Sequence, residues 1–272
     1  MARQSTLETF AFIGGGQITE IVLENWIGND LIRPDQVIVS SRGAERLTTL
    51  QTRFGVQVTY DNVAAMKQAD FISVNVRPEV VADVIKDLAA AQLRSSQLVV
   101  SLAAGISLTQ YDQVLPGQPL VRVLPNPPSR IGEGVVALHI NQKTSAEQQS
   151  AVKRLFSALG TLVEVEESRF NVITALSSPV ATYLFFESLI AAGVRGGLKR
   201  SIATEIAAQT ILGSMAVWQN GDDSPHGLMA EASTPGGISV ESLFTLEKLG
   251  FKPAVMEAIA QGAQRAASVA SE

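Results

Sequence analysis

Three consecutive glycines, Gly14, Gly15 and Gly16, follow an apolar run that starts at Phe10 and lead directly into Gln17-Ile18-Thr19. Glycine enters left-handed turns without strain and lets a backbone come close to a ligand. Read as G-x-G-x-x-T between a strand and a helix, the stretch is a variant of the turn that seats a dinucleotide diphosphate at a helix N-terminus. Gly14 would make the tight turn and Gly16 the close approach, with Thr19 in place of the third glycine. Alone the motif is weak, because a glycine-rich turn that holds nothing has the same letters. A second apolar run then ends in Ser40-Ser41-Arg42, where an NAD site carries an acidic residue for the ribose 2′-hydroxyl. Two hydroxyls and a guanidinium suit a 2′-phosphate, which favours NADPH over NADH; the alternative is that Arg42 is a solvated loop cation.

The elements that must position these residues follow from periodicity. Short apolar runs in "TFAFIG", "QVIVSS", "VQVTY", "DFISVNV", "LVVSLAAG", "LVRVLPN" and "GVVALHI" read as strands. Helix-length segments lie between several of them, at 18–28, 44–54, 78–90 and 107–114. Such alternation predicts an α/β fold with a mostly parallel sheet covered by helices on both faces. A helix from about 145 and a short strand "TLVEVEE" follow, and from about 171 onward the chain is Ala-, Leu- and Ile-rich with helical spacing. The expected plan is a Rossmann-type dinucleotide-binding domain over 1–165 and an all-helical dimerisation and substrate domain over 166–272. Segments such as "TYLFFESLIAAGVRGG" are apolar around most of the helix, which one subunit cannot bury alone.

Composition agrees. The 272 residues are 46% hydrophobic and 17% charged, an apolar excess that suits surface buried between subunits. The net charge of −5, without a Lys/Arg cluster, argues against nucleic acid and anionic membrane surfaces. With no cysteine there is no thiolate catalysis or Cys-ligated metal, and Asp222-Asp223 lacks a third ligand, so no metal is expected. Apolar stretches are interrupted by Ser, Glu, Gly or Lys before about 18 residues, so no membrane span is expected, and the default compartment is the cytoplasm.

With "GGGQITE", "NVRPE", "VVSLAAGIS", "VRVLPNPPSRIGEG" and "STPGGIS" in order along nearly the whole chain, the sequence resembles the pyrroline-5-carboxylate reductase family. The resemblance implies NADPH-dependent reduction of a cyclic C=N bond in a small imino acid, by a homodimer or larger homo-oligomer. It places Gly14, Gly16, Gln17 and Ile18 at the diphosphate and Ser40, Ser41 and Arg42 around the adenosine phosphate. It sets Asn75, Val76, Arg77 and Pro78 beside the ribose and nicotinamide, with Ala103, Ala104, Gly105 and Asn126 lining the nicotinamide side. Thr234, Pro235, Gly236, Gly237 and Ser239 would receive the substrate carboxylate, and Ser239 and Tyr183 would be hydrogen-bond donors for catalysis.

The departures matter too. Where the family has G-S-G-P-A-Y, the chain reads Ser178-Pro179-Val180-Ala181-Thr182-Tyr183, so both glycines are replaced. That keeps open a paralogue acting on another imine or a keto acid, and a non-catalytic dinucleotide-binding protein. His139 reads as structural or surface, His226 as a loop residue, and Glu166 and Glu167 as solvated charges after a strand.

Overall fold

A computed structural model describes residues 7–269. Among them, strands β1 (Phe10–Ile13), β2 (Val37–Ser40), β3 (Gln57–Thr59), β4 (Phe71–Val74), β5 (Leu98–Ser101), β6 (Leu120–Pro125), β7 (Gly134–Ile140) and β8 (Gly160–Glu164) form one sheet in the order β3-β2-β1-β4-β5-β6-β7-β8. Neighbours are parallel except β6 and β7, which run antiparallel with Arg122 opposite His139. The order reverses around β1, which pairs with β2 on one side and β4 on the other. In an open sheet that reversal opens a crevice at the carboxyl ends of the strands, where ligands bind.

The strands read as continuous apolar runs because both faces are covered. Alternation sends Phe10 and Phe12 to one face and Ala11 and Ile13 to the other. The first face is closed by α1 (Gln17–Gly28), α2 (Ala44–Phe54) and α6 (Ala146–Phe156). There Trp26 meets the rings of Phe12, Phe71 and Phe156 edge-on. The second face is closed by α3 (Asn62–Gln68), α4 (Pro78–Ala91) and α5 (Leu108–Asp112). Buried there, Tyr111 shares a 2.9 Å hydrogen bond with Ser101, and burial pushes its phenol up to about 12.

Three helices differ from the sequence reading, one of them Pro225–Ala232, which carries His226 where a loop was expected. The seven-residue α3 escapes it, being nucleated by Asp61, whose carboxylate accepts the Ala64 N–H at 2.9 Å. Helix α5 is shorter than 107–114, because Pro116 disfavours helical backbone at Leu115 and unwinds the last turn.

The chain forms two compact units, one ending at Ser177 and resuming at Gly262, the other Ser178–Gln261. The first also contains α7 (Phe170–Leu176). The second holds α8 (Val180–Arg195), α9 (Arg200–Asn220), α10 (Pro225–Ala232), α11 (Ile238–Lys248) and the first part of α12 (Phe251–Val269). Its interior core is small: Ile190, Ala203 and Ala207, with Phe186 and Leu189 packed against them. Gly193 lets α8 and α9 close, since a Cβ there would stand 2.9 Å from that of Ala203. Leu184, Leu212, Met215 and Phe244 face outward instead. One helical run, Glu167–Arg195, is by length and composition apolar enough to cross a membrane. The sequence reading, which stops at every Ser and Glu, finds no such run.

Candidate active site

After β1 the chain turns at Gly14 with φ +107°, and a Cβ there would lie 2.5 Å from the Asn75 carbonyl oxygen. Only glycine fits that turn. The Gly14 N–H donates to Ser40 O at 2.8 Å, which fastens the turn to the end of β2. Gly16 caps α1 with no side-chain hydrogen bond, and a Cβ on it would meet nothing within 4 Å. The first amides of α1, at Gln17 and Ile18, therefore form an open anion-binding terminus.

Thr19, at the third glycine's position, is fully buried and hydrogen-bonded. Its hydroxyl donates to Gly14 O and accepts from Asn75 Nδ2 at 3.0 Å, while Asn75 Oδ1 accepts from Ser73 Oγ at 2.7 Å. The side chain of Asn75 is thus engaged in joining β4 to the glycine turn.

A cavity of about 300 Å³ opens against this turn. It brings together Gly14, Gly16, Ser40, Ser41, Arg42, Asn75, Val76 and Arg77 of the expected set. It also has a wall the sequence reading missed, made by Asn62 of α3 and by Val80, Asp83, Val84 and Asp87 of α4. The Ser40 hydroxyl faces that wall, donating to Asn62 Oδ1 at 2.6 Å, and Asn62 Nδ2 donates to Asp87 Oδ2 at 2.7 Å. Ser41 is half-buried, and Arg42 is exposed and makes no ion pair among the described residues. Arg77 is the exposed N-cap of α4, paired with Glu79 at 3.2 Å, and Pro78 is the first helical residue. An uncapped helix terminus, glycine-only close approach and a free guanidinium are the features a phosphorylated dinucleotide requires, so the residues fit that cofactor.

Other expected residues lie at neighbouring strand ends. Ala103, Ala104 and Gly105 follow β5, with Gly105 at φ +76°. The side chain of Asn126, at the end of β6, is committed within the fold: Nδ2 donates to Ser177 O and Oδ1 accepts the Val135 N–H, both at 2.9 Å. In the helical unit, Tyr183 stands exposed on α8. Thr234 to Gly237 form a tight turn with Gly236 at φ +70° and the Gly237 N–H donating to Thr234 O at 2.9 Å. Gly237 caps α11 without a side-chain bond and Ser239 is exposed on its first turn, a second open terminus suited to a carboxylate.

Sequence reasoning also missed Arg46. Its guanidinium donates from Nε to Gly15 O and from Nη2 to Gly16 O at 3.2 Å, and pairs with Glu20. That hydrogen bond chiefly holds the Glu20 carboxyl below the ordinary carboxylate value. Glu167 is corrected. Rather than being solvated, it pairs at 3.0 Å with Arg122, a buried strand residue whose guanidinium stacks on Phe170, and it accepts the Leu108 N–H at 2.7 Å. His139 Nδ1 lies 3.0 Å from Val165 O, a structural contact.

Residues 167–269 match the family model described as pyrroline-5-carboxylate reductase dimerisation, and residues 9–105 match one described as coenzyme F420-dependent NADP oxidoreductase. Among curated proteins, a pyrroline-5-carboxylate reductase of Corynebacterium melassecola is 34% identical over 95% of this chain and 97% of its own. One from Synechocystis is 32% identical over 91% and 92%. Among solved structures, a pyrroline-5-carboxylate reductase from Coxiella burnetii superposes with a TM-score of 0.88 at 26% identity, covering 96% of this chain and 98% of the other. A Plasmodium falciparum pyrroline carboxylate reductase with NADP bound gives 0.85 at 25% identity, covering 98% and 99%.

Proposed function

The chain belongs to the pyrroline-5-carboxylate reductase family, and from that premise we propose that it reduces 1-pyrroline-5-carboxylate to proline with NADPH. The observation that carries the cofactor half of this reading is the glycine turn facing Ser41 and Arg42 across one cavity. Gly14, Gly16, Gln17 and Ile18 hold the diphosphate, and Ser41 with Arg42 holds the 2′-phosphate while Ser40 braces the wall through Asn62. Asn75, Val76, Arg77 and Pro78 border the ribose, and Ala103, Ala104, Gly105 and Asn126 border the nicotinamide.

When bound, the cofactor supplies the hydride that adds to the imine carbon. The protein's own task is to orient the substrate and direct a proton to its nitrogen. Thr234, Pro235, Gly236 and Gly237 receive the substrate carboxylate, with the open N-terminus of α11 contributing its dipole. The exposed Ser239 hydroxyl donates toward the imine nitrogen or an ordered water, and the Tyr183 phenol is the second donor.

The domain division follows the same reading: 1–165 for cofactor and 166–272 for dimerisation and substrate, supported by the dimerisation match that begins at 167. The apolar run Glu167–Arg195 then belongs to a subunit interface rather than to a bilayer, and the enzyme works as a cytoplasmic homodimer or larger homo-oligomer. The test is NADPH absorbance with purified protein and pyrroline-5-carboxylate, with NADH in parallel. Oxidation with a clear NADPH preference is expected. NADPH bound without oxidation would overturn the substrate, and faster turnover with NADH would overturn the phosphate assignment.

A further inference from the structure

The cofactor cavity is bordered by the glycine turn, and a cation that does not line the cavity grips that turn from the other side. Arg46 stands at the start of α2 and donates to the carbonyl oxygens of both Gly15 and Gly16. Both peptide bonds that follow these carbonyls are trans. In a planar trans peptide the N–H points opposite to the C=O. With Gly15 O and Gly16 O turned toward Arg46, the N–H groups of Gly16 and Gln17 are turned away from it. That is the presentation a diphosphate at a helix N-terminus requires. The guanidinium is itself anchored, because its Nη2 also meets Glu20 Oε2, and Glu20 is bonded in turn by Arg53. The Gly14 N–H is already fastened to Ser40 O and Gly16 O also accepts the Glu20 N–H at 3.2 Å, so Arg46 adds its hold chiefly at the Gly15 carbonyl, and fixing that peptide before the ligand arrives lowers the ordering cost of binding.

We propose that Arg46 is a positioning residue for the dinucleotide: it holds the Gly15 and Gly16 carbonyls from behind so that the opposite amides face the diphosphate. The inference rests on the NADPH reading above and adds to it a residue that the cofactor never touches. Its action is blind to the 2′-phosphate, which separates it from Arg42.

The test is direct binding of NADPH and NADH to the full-length protein by nicotinamide fluorescence, with 2′-AMP, which carries no diphosphate, measured by calorimetry. Arg46→Met is expected to weaken NADPH and NADH by the same factor, about tenfold, the size expected when hydrogen bonds from a charged group are lost. Binding of 2′-AMP should stay at the wild-type value, and Arg46→Lys should recover part of the loss. A loss confined to NADPH and 2′-AMP would overturn the proposal by making Arg46 a phosphate ligand. So would unchanged binding of both dinucleotides.

If Arg46→Met fails to fold, Glu20→Gln carries the test. It frees the guanidinium from its anchor and should weaken both dinucleotides equally, and unchanged binding there overturns the proposal. Wild-type protein that binds neither dinucleotide would refute the cofactor reading instead, so the two failures are distinct.

Discussion

Arg42 and Arg46 lie one helical turn apart in the sequence and differ in what they have left to offer. Arg46 commits its guanidinium to the protein, whereas Arg42 is exposed and makes no ion pair among the described residues. An unpaired guanidinium beside Ser41 can take a phosphate in a charge-assisted contact. Arg42→Ala is therefore expected to raise the Kd for NADPH about tenfold or more while leaving NADH nearly unchanged. Titrating both dinucleotides checks it, and equal losses would reject the 2′-phosphate assignment. Much of this site was legible in the letters. Gly14 announces its positive φ because other residues rarely adopt it, and Ser41-Arg42 occupies the place of an acidic residue. Arg46 was not legible, since its partners are backbone carbonyls about thirty residues earlier and main-chain acceptors leave no mark in a sequence. Nor could letters say that the Ser40 hydroxyl turns to Asn62, because serine reads the same whichever way it points.

At the level of elements, the strands were legible because each buries both faces and so must be apolar throughout. Side-chain links between elements distant in sequence were not. Glu167 follows a strand and a loop, and the signal that could have found its partner was Arg122 itself, a lone cation inside the run "LVRVLP". That pair joins β6, the first amide of α5 and the residues before α7. Glu167 is partly exposed, but its removal leaves the buried Arg122 guanidinium uncompensated, so Glu167→Ala should cost about 2 kcal/mol in chemical denaturation, with part regained when Arg122→Leu is added. Additive losses in the double variant would mean that the two residues are not coupled. Helices α1 and α2 are clasped by Glu20 with Arg46 and Arg53. The Glu20 carboxyl is held below its ordinary value of 4.5, first by the Arg46 hydrogen bond, with burial opposing. A depressed carboxylate stabilises the fold fully above its unfolded pKa and loses that contribution as pH falls through the lower folded value. Thermal melts should show the wild-type advantage over Glu20→Gln shrinking as pH drops below about 4.5. An advantage that persists in acid would remove the charge from this account.

For the whole molecule, the apolar excess visible in composition has a definite location. The first unit spends its hydrophobic residues on two sheet faces, whereas the helical unit buries little of its own surface and leaves Tyr183, Leu184, Leu212, Met215, Trp218 and Phe244 exposed. Helices apolar on most sides with so small a core cannot offset the entropy of ordering them, so the unit needs a second copy to be stable. The match to a dimerisation family over 167–269 accords with that requirement. The proposed substrate loop at Thr234 to Ser239 belongs to the dependent unit, while the cavity at the glycine turn is lined only by residues of the self-sufficient one. Dissociation should therefore separate the two abilities, abolishing turnover while leaving NADPH binding in place. Trp218 gives the measurement, because the chain has two tryptophans and the other, Trp26, is sealed in the sheet core. On dilution, Trp218 emission should shift toward that of a solvated indole over the same concentration range in which specific activity disappears. A monomer that keeps turning over substrate would show that the helical unit stands alone, and the argument from its exposed surface would fail.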